Sequence, residues 1–203
     1  MFALVDKSDN SITKMLNGNK GITIGDNQYP RAIFTLWTEA ERNAINIYTV
    51  TIDESKRKDE QWYINTNITY AFDGTNATGS YGDATAKAHA DTTWTAQDET
   101  DGKGTEGEVA TRGLKYNLIQ TVKLQAEGEL NRTDWYITRK AEKNTAIPSA
   151  ITTHRDAVRS KQAAMETAIT NASDTPALET LYTYTTDSDG VHSRPLGELP
   201  TLE

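Results

Sequence analysis

Apolar residues alternate with polar ones, or come in short β-branched runs, up to about residue 108; beyond it they recur at steps of three and four. Residues 2–6 and 11–15 flank the turn formers Asp9 and Asn10 and read as a small hairpin. Residues 21–25 form a short strand closed by Gly25. Residues 45–52 are rich in β-branched side chains and alternate, which predicts a strand. Residues 61–72, with Trp62, Tyr63, Tyr70 and Phe72, predict a second strand, or two with a kink. Between these, the apolar run 32–37 fits either strand or helix. Thr38 and Glu41 have capping-box spacing, so a short helix should span 39–44. Gly74, Gly79 and Gly82 read as turn residues.

The helical half opens with Leu114, Leu118, Val122, Ala126 and Leu130, four apart on one stripe, a helix of about five to six turns. Thr133 and Asp134 restart a second helix carrying Trp135 and Ala141, which must end before Pro148. A third, capped by Ser149, places Ile151, His154, Val158, Lys161, Met165, Ala168 and Ala172 on a narrow seam. Asp174 and Pro176 open a last short helix with Leu178, Leu181 and Tyr182. Past Thr185 no period remains, and Pro195 and Pro200 favour an extended chain. Strands first and helices after predict an α+β fold: a small antiparallel β unit, a helical hairpin or bundle, and an extended C-terminal tail. The divisions expected are a β-rich domain 1–97, an Asp/Gly-rich linker 98–107, a helical domain 108–182 and a tail 183–203. Trp94, in a stretch of small residues, should plug into something.

Hydrophobic residues make up only 36% of the chain, so the core should be small and some surface is expected to be covered by a partner. The net charge of −8 makes nucleic acid a poor partner, because phosphate affinity comes from Lys and Arg. Charge is uneven. Arg132, Arg139, Lys140, Lys143, Arg155, Arg159 and Lys161 make the helical part basic, whereas Arg194 is the one cation after Asp174. Two solvated faces would account for this. So would a tail lying over the helices of its own or another copy.

No cysteine is present, which removes disulfides, thiolate metal sites and a thiol nucleophile. His89, His154 and His192 lie in three separate segments, with no second ligand at helical spacing, so no metal is expected. Asp187, Asp189 and Gly190 resemble the start of a calcium loop, but the closing Glu is missing, and an acidic turn is the better reading. Neither a phosphate-binding glycine loop nor a nucleophile turn occurs. The expectation is therefore no catalytic residue, no cofactor and no enzyme. Neither a basic-then-apolar leader nor a membrane-spanning run is read from the chain.

One constellation is more specific. Thr133, Asp134 and Trp135 precede Arg139, Glu142, Pro148, His154, Arg155 and Arg159 in an order that resembles the carboxy-terminal module of tail fibre assembly proteins and related virion proteins of tailed bacteriophages. The resemblance covers residues 114–182 at its widest. In the other half, Tyr29, Pro30, Ile33, Phe34, Trp37, Glu39, Glu41, Arg42, Ile45, Asn46 and Ile47 are similar to a pattern in the same proteins of marine phages. Asn46 stands where Gly is usual there, and Asn also tolerates positive φ.

The resemblance implies a structural component of a phage virion, at the tail tip, fibre or its connector, made in the host cytoplasm. It would act by protein–protein assembly with other phage structural proteins, as a homo-oligomer or in many copies. The alternative is a tail fibre assembly chaperone that does not stay in the virion. For Trp135, Arg139, Glu142, Arg155 and Arg159 two readings stand. In one, Trp135 packs between helices, Arg139 pairs with Glu142, and Arg155 and Arg159 form a solvated row. In the other, they form a docking patch, since Trp and Arg dominate interface hot spots.

Overall fold

A computed structural model describes residues 1–202. The fold is α+β, and the chain divides into two compact units, residues 1–85 and 86–203.

The first unit runs β1 (Phe2–Asp6), β2 (Ser11–Leu16), β3 (Ile22–Ile24), β4 (Asn27–Tyr29), α1 (Ile33–Leu36), α2 (Glu39–Ala44), β5 (Ile47–Asp53), β6 (Tyr63–Ile64), β7 (Thr69–Phe72) and β8 (Ala77–Ser80), with β9 (Thr85–Ala86) at the division. Five strands form one sheet in the order β2-β1-β5-β8-β7. It is antiparallel except for β5 and β8, which run parallel, Val50 opposite Ala77 and Asp53 opposite Ser80. The sheet is thus the expected small antiparallel unit with one parallel pair set into it. Residues 54–76, which join the pair, carry β6 and β7 and no helix, so no βαβ crossover arises.

The outer strands β2 and β7 approach one another, so the sheet curls. Its inner face buries Ala3, Val5, Tyr48, Val50, Phe72 and Ala77, with the Tyr48 and Phe72 rings 4.5 Å apart. A second cluster buries Ile22, Ile33, Phe34 and Ile47, with Phe2 and Leu4 against it. Successive β1 residues thus serve opposite faces, both covered. Burial of a side chain such as Ile33 or Ile47 stabilises by about 1.5–3 kcal/mol. Thr38 and Glu41 complete the capping box of α2, and Asn46 takes the left-handed conformation at φ 62°. Gly79 lies in β8 rather than in a turn. A Cβ there would press on Tyr70, Ile52 and Ile68 at 2.8–2.9 Å.

The second unit contains β10 (Thr92–Thr93), α3 (Ala96–Thr100), β11 (Val109–Thr111), α4 (Leu114–Asn131), α5 (Asp134–Lys143), α6 (Ser149–Asn171), α7 (Thr175–Tyr182), β12 (Thr185–Thr186) and β13 (His192–Ser193). Its long helices α4 and α6 pack antiparallel: Lys115 Nζ at the start of α4 donates to Thr170 O near the end of α6, at 2.9 Å. Val122 and Ala126 of α4 are buried, as are Ile151, Val158, Met165 and Ile169 of α6. Asp174 caps α7 by accepting from Ala177 N.

Two of the expected divisions are corrected. The chain divides at Thr85, not near 97, because residues 87–91 cap the helices. Ala88 O and His89 O accept the N–H groups of Leu114 and Lys115, and the Asp91 carboxylate accepts that of Gly113. Segment 98–107 is not a linker. It is the tip of an arm built on the β10–β11 pair. Thr95 and Asp98 form a capping box, Lys103 Nζ lies 2.9 Å from Asp98 and 3.1 Å from Asp101, and the Trp94 indole lies against Gly104, where a Cβ would collide with it. Those bonds hold the Asp98 carboxyl down at about 2, chiefly through the Thr95 hydroxyl and then Lys103.

Of the two places expected for the tail, its own chain or another copy, the structure shows its own, and the segment is a hairpin and return rather than fully extended. Residues 183–202 fold back on their own chain. β12 and β13 pair, and Asp187 Oδ1 closes the hairpin by accepting the N–H groups of Asp189 and Val191, both at 2.9 Å. Leu196 is buried, its N–H donates to Leu181 O at 3.0 Å, and Lys161 Nζ donates to Leu196 O at 2.8 Å. The Arg194 guanidinium stacks over Tyr182 and Tyr184 and pairs with Glu198 at 2.7 Å. A single apolar anchor and one stacked cation hold a segment that has no periodicity.

Candidate functional site: the α5 surface

Asp134 at the start of α5 and Lys140 and Lys143 at its end complement the helix dipole. Asn144 ends it in the left-handed conformation, φ 52°, with its N–H on Lys140 O. Helix α5 buries none of its residues. Trp135 is 52% exposed, and Ile137 beside it is also exposed. The Trp135 and Tyr136 rings stack at 3.8 Å. The Arg139 guanidinium covers them, 4.6 Å from the Trp135 centroid and 5.2 Å from that of Tyr136.

This geometry overturns the packed-core reading of Trp135. It overturns the Arg139–Glu142 pair as well, since no ion pair joins them among the described residues. Helical side chains lean toward the N-terminus, so Arg139 reaches back one turn to Trp135 rather than forward to Glu142. Glu142 stays exposed. The buried Arg139 Nε has no hydrogen-bond partner.

Arg155 is not part of a solvated row. Its side chain is 9% exposed, and Nη1 lies 2.8 Å from Leu130 O, 2.7 Å from Thr133 Oγ1 and 2.7 Å from Asp134 Oδ1. One cation thus ties α6 to the corner between α4 and α5. Thr133, fully buried, also donates to Leu130 O at 2.9 Å. Arg159, one turn further, faces solvent and meets only Asp156, at 3.5 Å. Of the five residues picked from sequence, Trp135 and Arg139 come together. Glu142 and Arg159 stay apart, and Arg155 has a structural task. The partners Thr133 and Asp134 and the exposed Ile137 were not picked as site residues. The available signal was an Arg on the apolar stripe of α6 opposite a polar pair at a helix junction.

Among the described residues no group of three or more His, Asp and Glu is placed to hold a metal ion. His192 bonds the Thr186 hydroxyl, and His154 is buried with Nε2 unpaired. No helix among the described residues is long and apolar enough to cross a membrane. No family model, curated protein or solved structure matches the chain.

Proposed function

We propose that this chain is a structural component of a tailed-phage virion, located at the tail and acting by assembly with other phage proteins. The observation that carries the reading is α5, a helix with no buried residue that presents Trp135, Ile137 and a stacked Arg139. Exposed aromatic and Arg side chains on one rigid helix are what interface hot spots are made of. The same helix holds the first half of the residue order that resembles phage tail proteins, while Arg155 sets its angle to the helical pair.

Mass spectrometry of purified particles assembled with this chain tests the reading. A fixed copy number per particle is the expected result, and Trp135→Ala should abolish incorporation while leaving the fold intact. Presence in the lysate with absence from particles would refute a virion role and favour the assembly chaperone.

A further inference from the structure

The first unit carries a groove of about 660 Å³ beside β2, lined by residues 14–18 and 20–23 and by Met1 and Phe34. Its apolar side chains come from Met1, Met15, Leu16, Ile22 and Phe34; its charged side chains are those of Lys14 and Lys20. Neither lysine has a carboxylate within ion-pair distance among the described residues. In a chain of net charge −8, this is a locally cationic apolar groove.

The two strands that line it each have a partner on one side only. β2 is an outer strand of the five-stranded sheet, and β3 pairs with β4 alone. No β7 residue lines the groove, so the approach of β7 to β2 does not fill it. The register slips between Leu4 and Val5, leaving Thr13 as the extra residue of β2, and Lys14, Met15 and Leu16 resume regular pairing with β1 beyond it. Among the described residues no strand pairs with β2 on the side away from β1.

We propose that this groove is a strand-addition site for an extended segment of another protein, one that alternates apolar and acidic residues. Backbone pairing to β2 would supply affinity. Successive β2 side chains take opposite faces, so the apolar side chains of an added strand would pack on the Met15 face and its carboxylates would lie on the Lys14 face, toward Lys20. The lysines argue against a second copy as occupant, because apposing two β2 edges brings like charges together. The site lies in a different unit from α5 and stands or falls apart from the phage reading.

The test titrates the isotopically labelled full chain with the acetylated peptide Glu-Val-Glu-Ile-Glu-Val-Glu and with its counterpart carrying Lys for every Glu. The acidic peptide should give saturable amide shifts at 14–16 and 22–23, and slow hydrogen exchange in β2 by about tenfold or more. The double variant Lys14→Glu/Lys20→Glu should weaken binding about tenfold, with the resonances of the inner core unmoved. No saturation, equal binding of the two peptides, or shifts without slowed exchange in β2 would each overturn the proposal. Sedimentation showing that the free chain dimerises, with the dimer broken by the same variant, would overturn the choice of occupant.

Discussion

Replacing Arg155 by Ala should cost far more than replacing Arg159, its neighbour one turn along the same helix. Arg155 Nη1 lies within bonding distance of three oxygens, and its side chain is 9% exposed. Hydrogen bonds to a charged group contribute about 1.5–3 kcal/mol each, but the three here share one nitrogen and do not sum. Asp134 is 52% exposed on its side chain, so solvent screens that pair and it adds little. Leu130 O keeps the Thr133 hydroxyl as donor after the change. What is lost is the charged partner of the buried Thr133 oxygen and the tie between α6 and the α4–α5 corner. The net cost should be about 2–3 kcal/mol. Arg159→Ala should change stability by less than about 0.5 kcal/mol, as for an exposed pair. Urea unfolding followed by helical circular dichroism reads both, with the slope checked for constancy. The long helices α4, α5 and α6 belong to the second unit, so this signal reports chiefly on it. Equal shifts for the two variants, or a cost below about 1 kcal/mol for Arg155→Ala, would refute the account of Arg155 as the tie.

Trp135→Ala should lower stability by less than about 1.5 kcal/mol, because only stacking with Tyr136 and Arg139 is lost; a drop of about 3–5 kcal/mol in urea unfolding would mean a core residue after all. Leu196→Ala should destabilise the second unit by about 2–5 kcal/mol, since the side chain is buried and anchors the returning tail; unchanged unfolding would show the tail to be loosely held. The Asp98 carboxyl sits at about 2 against an ordinary 3.8, so its bonds help hold the arm at pH above about 4 and are lost as pH falls through 2. The Trp94 indole resonance should follow that titration, and Asp98→Asn should remove the dependence. Gly104→Ala should displace the same indole, visible as a shift confined to the arm.

Local chemistry was legible wherever the chain's nearest neighbours decide it. The Thr38 and Glu41 capping box, the Asp174 cap, the positive φ of Asn46 and the apolar stripes of α4 and α6 are set by contacts within a turn or two. β1 was harder to read, because Phe2 and Leu4 pack on one side while Ala3 and Val5 pack on the other. Burial on both faces erases the alternation that marks a one-sided strand. The arm at 98–107 misled for the opposite reason. Its Asp and Gly residues are polar and flexible in composition, yet they cap, pair and turn against one another.

What the sequence determined by itself is therefore the principal elements, among them β1, β2, β5, α2, α4, α5, α6 and α7, their order, and the α+β class. What only the tertiary structure decided is how residues far apart in the chain meet. The parallel pairing of β5 with β8, the capping of α4 by residues 88–91, the return of Leu196 to Leu181 and the burial of Arg155 all join positions that no local period links. The same holds for the candidate site. Helical spacing put Trp135 and Arg139 one turn apart, but whether that face was covered depended on where α6 packs, and α6 packs on α4. An amphipathic pattern states which face avoids water, and only the packing of the whole unit states which faces are left without a neighbour.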